Sequence, residues 1–140
     1  MGVEQGTFGV LKWMDEIYPD QQFNAILYSP QFAANSDAGS RFMLAYLRGV
    51  RDYNEVIRKG RNVEEFAAIG TKYLPIRDAS LYPKMRHIGI NPDGYLNRAG
   101  MEEDLDWYLA QGLVQQRIGL DSLIDYRFVD AALAALGPYR

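Results

Sequence analysis

The run Gln22-Phe23-Asn24-Ala25-Ile26-Leu27-Tyr28 alternates Phe23, Ala25 and Leu27 with Asn24, Ile26 and Tyr28. A period of two predicts an extended strand, which Ser29-Pro30 stops. A strand constrains its surroundings more than a helix does, because its N–H and C=O groups must find partners elsewhere in the chain. The apolar run Phe8–Leu11 predicts a second short strand near Phe8–Trp13, followed by a loop through Tyr18-Pro19. Two strands alone make only a marginal hairpin in water. Almost everything further along reads as helix.

A long helix is predicted from Asp37 to Lys59, with Phe42, Tyr46, Gly49, Val50, Tyr53 and Ile57 on one stripe. Asn35 or Ser36 can cap its start, and Gly60 stands where a terminating glycine belongs. Val63–Leu74 predicts a second helix with Phe66, Ala67 and Gly70 inward, ended by Pro75. A helical turn is expected at Ala79–Met85. Asn91-Pro92-Asp93-Gly94 suits a type I turn. Asn97 then caps a helix from Arg98 to Gln111, with Met101, Leu105, Tyr108 and Leu109 as its stripe. A last helix from Asp125 places Phe128, Val129, Ala132, Leu133 and Leu136 inward and ends at Gly137-Pro138.

Composition narrows the function classes. The chain has 140 residues, the length of about one domain, and 48% hydrophobic residues argue against disorder. A net charge of −3 leaves no electrostatic footprint for nucleic acid. There is no cysteine, so disulfides, thiol catalysis and cysteine-ligated metal are excluded. The opening "MGVEQGTFGVLKW" lacks a basic start followed by an apolar run, so no signal peptide is expected. Chemistry-bearing motifs are sparse. His87, the single histidine, has no nucleophile or acid at a motif spacing and reads as a loop residue. Glu102, Glu103, Asp104 and Asp106 read as a solvated face near a helix start rather than a metal site. Trp107 lies off its helix's apolar stripe and either fills a seam or is exposed. Arg41, Arg48, Arg51 and Arg58 gather opposite the apolar stripe of the long helix and could dock a partner. Catalytic, metal and cofactor sites are all expected to be absent.

Five phrases carry a resemblance: "EIYPDQQFNAILYSPQFAAN", "SRFMLAYLRGVRDYNEVI", "INPDGYLN", "DLDWYLAQGLV" and "LIDYRFVDAALAALGPY". Together, over residues 4–139, the chain resembles the C-terminal part of ABC-transporter substrate-binding proteins. The group is the nitrate, taurine and aliphatic-sulfonate type, related to thiamine-pyrimidine-precursor binding proteins. The resemblance implies a predominantly α-helical chain with one or two N-terminal strands, part of an α/β periplasmic-binding-protein (type II) fold. Residues 1–30 would form the hinge or return segment and 31–140 the helical C-terminal portion, with the N-terminal lobe absent.

It further implies non-catalytic binding of a small anionic or heterocyclic solute by hinge closure, and delivery to an ABC permease from a periplasmic or other extracytoplasmic location. Tyr18, Gln21, Gln22 and Asn24, beside the hinge, are the residues expected to face a ligand. An unpaired strand edge points to a homodimer, by strand pairing or domain swapping. The competing expectation is a stand-alone helical interaction module that has lost solute binding and docks a partner on its arginine face.

Overall fold

The computed structural model describes residues 2–3 and 6–140; Met1 and the first residues of the resemblance, Glu4 and Gln5, lie outside them. The elements are helical throughout: α1 (Met14–Ile17), α2 (Pro30–Ala34), α3 (Ser36–Lys59), α4 (Val63–Tyr73), α5 (Arg98–Ala110) and α6 (Arg127–Leu136). Two 3-10 turns, Ala79–Lys84 and Leu120–Ser122, complete them. Among the described residues there is no strand and no sheet, which overturns the expected partial α/β type II fold with N-terminal strands. The physical reason is the missing neighbour. No backbone–backbone hydrogen bond pairs Phe8–Trp13 with Gln22–Tyr28, and none joins Phe23–Tyr28 to another described residue. Alternation alone cannot make a strand.

The helices form where their ends are signalled. The Asn35 side chain accepts from the Ala38 N–H at 3.0 Å, and Gly60 closes α3 in the left-handed region at φ 64°. Ser29 does more than stop the preceding run: it caps the short α2 by accepting from the Phe32 N–H at 3.2 Å. α6 begins later than expected, at Arg127, whose N–H is taken by the Asp125 carboxylate at 3.0 Å.

The core lies between α3 and α6, where Met43, Leu47, Phe128, Val129 and Ala132 are buried together. The buried stripe of α3 is Gly39, Met43, Leu47, Val50 and Asn54; Val50 is inward as expected, while Phe42, Tyr46, Gly49, Tyr53 and Ile57 are not in the buried stripe, which runs one position later. One position turns a helix by about 100°. The aromatic residues flank the seam instead. Phe42 and Tyr46 stack at its rim beside Phe32, and Tyr53 joins Phe66 and His87 over α4. Gly39 explains the phase, since a Cβ there would stand 2.2 Å from the Phe128 ring.

The Asn91–Gly94 turn closes as expected, with the Gly94 N–H donating to the Asn91 carbonyl at 3.0 Å. Gly94 sits at φ 78°, and a Cβ would come within 2.9 Å of Leu47. No helix of the described residues is long and apolar enough to cross a membrane.

Candidate functional site

The structure distributes the sequence-flagged polar residues among three places. The first is a set of internal ties. The Arg51 guanidinium donates to the carbonyls of Pro92 at 3.2 Å, Leu136 at 3.4 Å and Gly137 at 2.5 Å, and to the Asp93 carboxylate at 2.8 Å. Its side chain is only 15% exposed. Arg51 therefore points away from any outer arginine face, and fixes the Asn91–Gly94 turn and the end of α6 onto α3. Arg41 pairs with Asp37 one turn earlier, both largely exposed. Arg48 and Arg58 are exposed and have no ion-pair partner among the described residues.

The second place surrounds His87. Its Nε2 lies 3.1 Å from the Tyr82 carbonyl, and its ring meets Tyr53 and Phe66 edge-on at 6.0 and 5.4 Å. These contacts seat the Ala79–Lys84 turn on α4.

The third place is an open cleft of about 430 Å³ lined by Tyr18, Gln21, Glu103, Asp104, Trp107 and Tyr108. Two segments far apart in sequence build it. Asp20 adopts a left-handed conformation at φ 59°, and its carbonyl accepts from the Asn97 side chain at 2.6 Å. That bend between Tyr18-Pro19 and Gln21 turns both flanking side chains toward α5. The Tyr18 hydroxyl donates to Glu103 at 2.8 Å, and the Gln21 amide donates to Asp104 at 3.3 Å. The Tyr18 pKa is pushed up to about 12, chiefly because its proton is held by the Glu103 carboxylate, and then by burial and the nearby negative charges.

Gln22 lies beside the cleft but is committed to the fold. Its Oε1 accepts from the Asn97 N–H at 2.7 Å, and its Nε2 donates to the Asn24 carbonyl at 2.6 Å. Asn24 itself is exposed and outside the lining. Thus Tyr18 and Gln21 reach the cleft, while Gln22 and Asn24 do not.

The acidic run on α5 divides by face. Glu102 pairs with Arg117 at 2.7 Å, and Asp106 also pairs with Arg117. Glu103 and Asp104 turn to the cleft, where their hydrogen-bond donors are the neutral Tyr18 and Gln21. None of the four occupies the first turn of α5, so complementing the helix dipole does not explain their placement. No group of three His, Asp or Glu side chains among the described residues could hold a metal ion. Trp107 and Tyr108 stand nearly perpendicular, 76° apart with centroids at 5.3 Å, and are 56% and 46% exposed. Sequence reasoning flagged Trp107 and the two carboxylates separately. Their meeting with Tyr18 and Gln21 depends on contacts across 83 and 85 positions, which no local pattern encodes.

A distinct surface runs along the unpaired segment. Phe23 and Leu27 are 79% and 90% exposed, while Tyr28 turns inward and meets the Phe128 ring edge-on at 5.3 Å. Comparisons with known proteins find no matching family model, no matching curated protein and no matching solved structure.

Proposed function

We propose that this chain is the helical C-terminal part of a non-catalytic solute-binding protein serving an ABC importer. The observation that carries the reading is the segment Phe23–Leu27, outside any helix or strand, with Phe23 and Leu27 exposed and without backbone partners among the described residues. An uncharged, unpaired stretch of this kind is a liability unless another surface covers it. Supporting it are the five phrases, in order along the chain, and the convergence of Tyr18 and Gln21 on a cleft. In that role the protein works outside the cytoplasm, captures its solute without covalent chemistry and hands it to a permease. The heterocyclic end of the expected solute range fits better than the anionic end, because Glu103 and Asp104 repel an anion at the cleft.

Reading the gene in frame upstream of the Met1 codon tests the proposal. An open frame that continues into a secretion signal and further lobes supports it, and the encoded protein should then be screened for solutes by thermal shift. A stop codon and ribosome-binding site directly before Met1 would overturn it. The second reading, a stand-alone interaction module, draws on Arg48 and Arg58, which are exposed and have no ion-pair partner among the described residues. Charge reversal at both positions would abolish partner capture under that reading and leave solute binding untouched under the first.

A further inference from the structure

We infer that the cleft between Tyr18-Gln21 and α5 is a binding site for a small organic cation, an ammonium group carried on an apolar body. Two of its lining residues are Trp107 and Tyr108, whose rings meet edge-to-face at 76° and are about half exposed. The negative face of an aromatic ring attracts a cation, most strongly at tryptophan. Beside them lie the Glu103 and Asp104 carboxylates.

The charge balance singles out this pair. Arg117 is occupied by Glu102 and Asp106 on another face of the helix. Glu103 and Asp104 have no ion-pair partner among the described residues, and their donors, a phenol and an amide, leave their negative charge in place. Tyr18 and Gln21 hold the carboxylates in position while each keeps lone pairs for a further donor.

Ligand classes can be separated on the same grounds. An anion would meet two carboxylates and electron-rich aromatic side chains. A bare metal ion would need a convergent set of carboxylates or imidazoles, which the described residues do not form. A neutral apolar molecule would gain the ring contacts and nothing from the charges. Only an organic cation draws on both walls at once. This site deepens the binding role proposed above by naming a ligand class opposite in charge to the anion that the resemblance implies.

The test is made on the full chain, so its outcome is separate from that of the upstream gene sequence. In isotope-labelled protein, the Trp107 indole N–H resonance is followed during titration with benzyltrimethylammonium chloride. Sodium benzenesulfonate at equal ionic strength is the control. Trp13, the other tryptophan, already faces Arg86 at 4.9 Å and serves as an internal reference. The cation should shift Trp107 saturably, leave Trp13 in place, and bind about tenfold or more tightly than the sulfonate.

The double variant Glu103→Gln, Asp104→Asn keeps an oxygen to accept from Tyr18 and Gln21 and should weaken the cation severalfold. Trp107→Leu, at an exposed position, should abolish saturable binding, followed in that variant by the backbone amides of Glu103, Asp104 and Tyr108, without loss of the folded spectrum. An unmoved indole, equal affinity for the two probes, or undiminished affinity in the double variant would each overturn the assignment.

Discussion

The α3–α6 seam and the stretch from Tyr18 to Leu27 are held in opposite ways. In the seam, Leu47 and Phe128 are 0% and 2% exposed, and Arg51 ties the turn and the end of α6 into one unit. The N-terminal stretch keeps its apolar side chains outward and is attached through polar contacts at Tyr18, Gln21 and Gln22. Burial stabilises the first region, at roughly 1.5–3 kcal/mol for each large apolar side chain removed from water. The second gains almost none of that and depends on hydrogen bonds worth about 1 kcal/mol apiece. The lesson is that one chain can hold a packed scaffold and a loosely seated binding edge, with the helix caps drawing the border.

The sharpest way to break this contrast is to cut into the seam. Phe128→Ala should lower unfolding stability by about 3–5 kcal/mol and Leu47→Ala by about 2–5 kcal/mol, measured by urea denaturation. Gly39→Ala forces a methyl group against the Phe128 ring and should cost about 1–3 kcal/mol. Next comes the tie itself. Arg51→Met leaves Asp93 and three carbonyls without their shared donor and should cost about 2 kcal/mol, with amides of the Asn91–Gly94 turn losing protection from hydrogen exchange.

A smaller effect is expected at Glu55. Lys59 and the Tyr139 hydroxyl bond its carboxylate and hold its pKa at about 2, against a usual 4.5. A lowered folded-state pKa means stability that is fully present above pH 4.5 and lost as pH falls toward 2. Acid titration of the unfolding midpoint should show that loss, and Glu55→Gln should flatten the curve across the same window. The smallest effect belongs to the outward side chains. Leu27→Ser and Phe23→Ser should each change stability by less than about 0.5 kcal/mol. A cost above 2 kcal/mol for either would mean that the N-terminal stretch is part of the core and that the contrast is false.

Much of the helical scaffold was legible because its signals are local. Asn35, Gly60, Asn97 and Gly137 mark helix ends within a few residues of where they lie. The N-terminal strand was misjudged because alternation reports what a segment could do, while a sheet requires a second segment alongside. The phase of α3 was misjudged because aromatic residues outweighed Gly39, whose missing side chain admits Phe128. Arg51 looked like its neighbours Arg48 and Arg58, and only contacts as far as 86 positions away set it apart. The cleft was half legible: Tyr18 and Gln21 stood out beside the expected hinge, but nothing local linked them to Trp107 or Tyr108.

The way Phe23–Leu27 is suspended has a practical corollary for an enzyme that cuts backbones. Upstream, Gln22 is tied to Asn97, Tyr18 to Glu103 and Asp15 to Arg86; downstream, Tyr28 is lodged against Phe128. Between these moorings the backbone lies outside any helix or strand, with phenylalanine and leucine side chains displayed to a protease that prefers such residues. A single cleavage there would break covalent continuity without undoing any of the four moorings. The two pieces would remain together as a nicked but assembled protein, divisible into complementary fragments at the border between its scaffold and its edge.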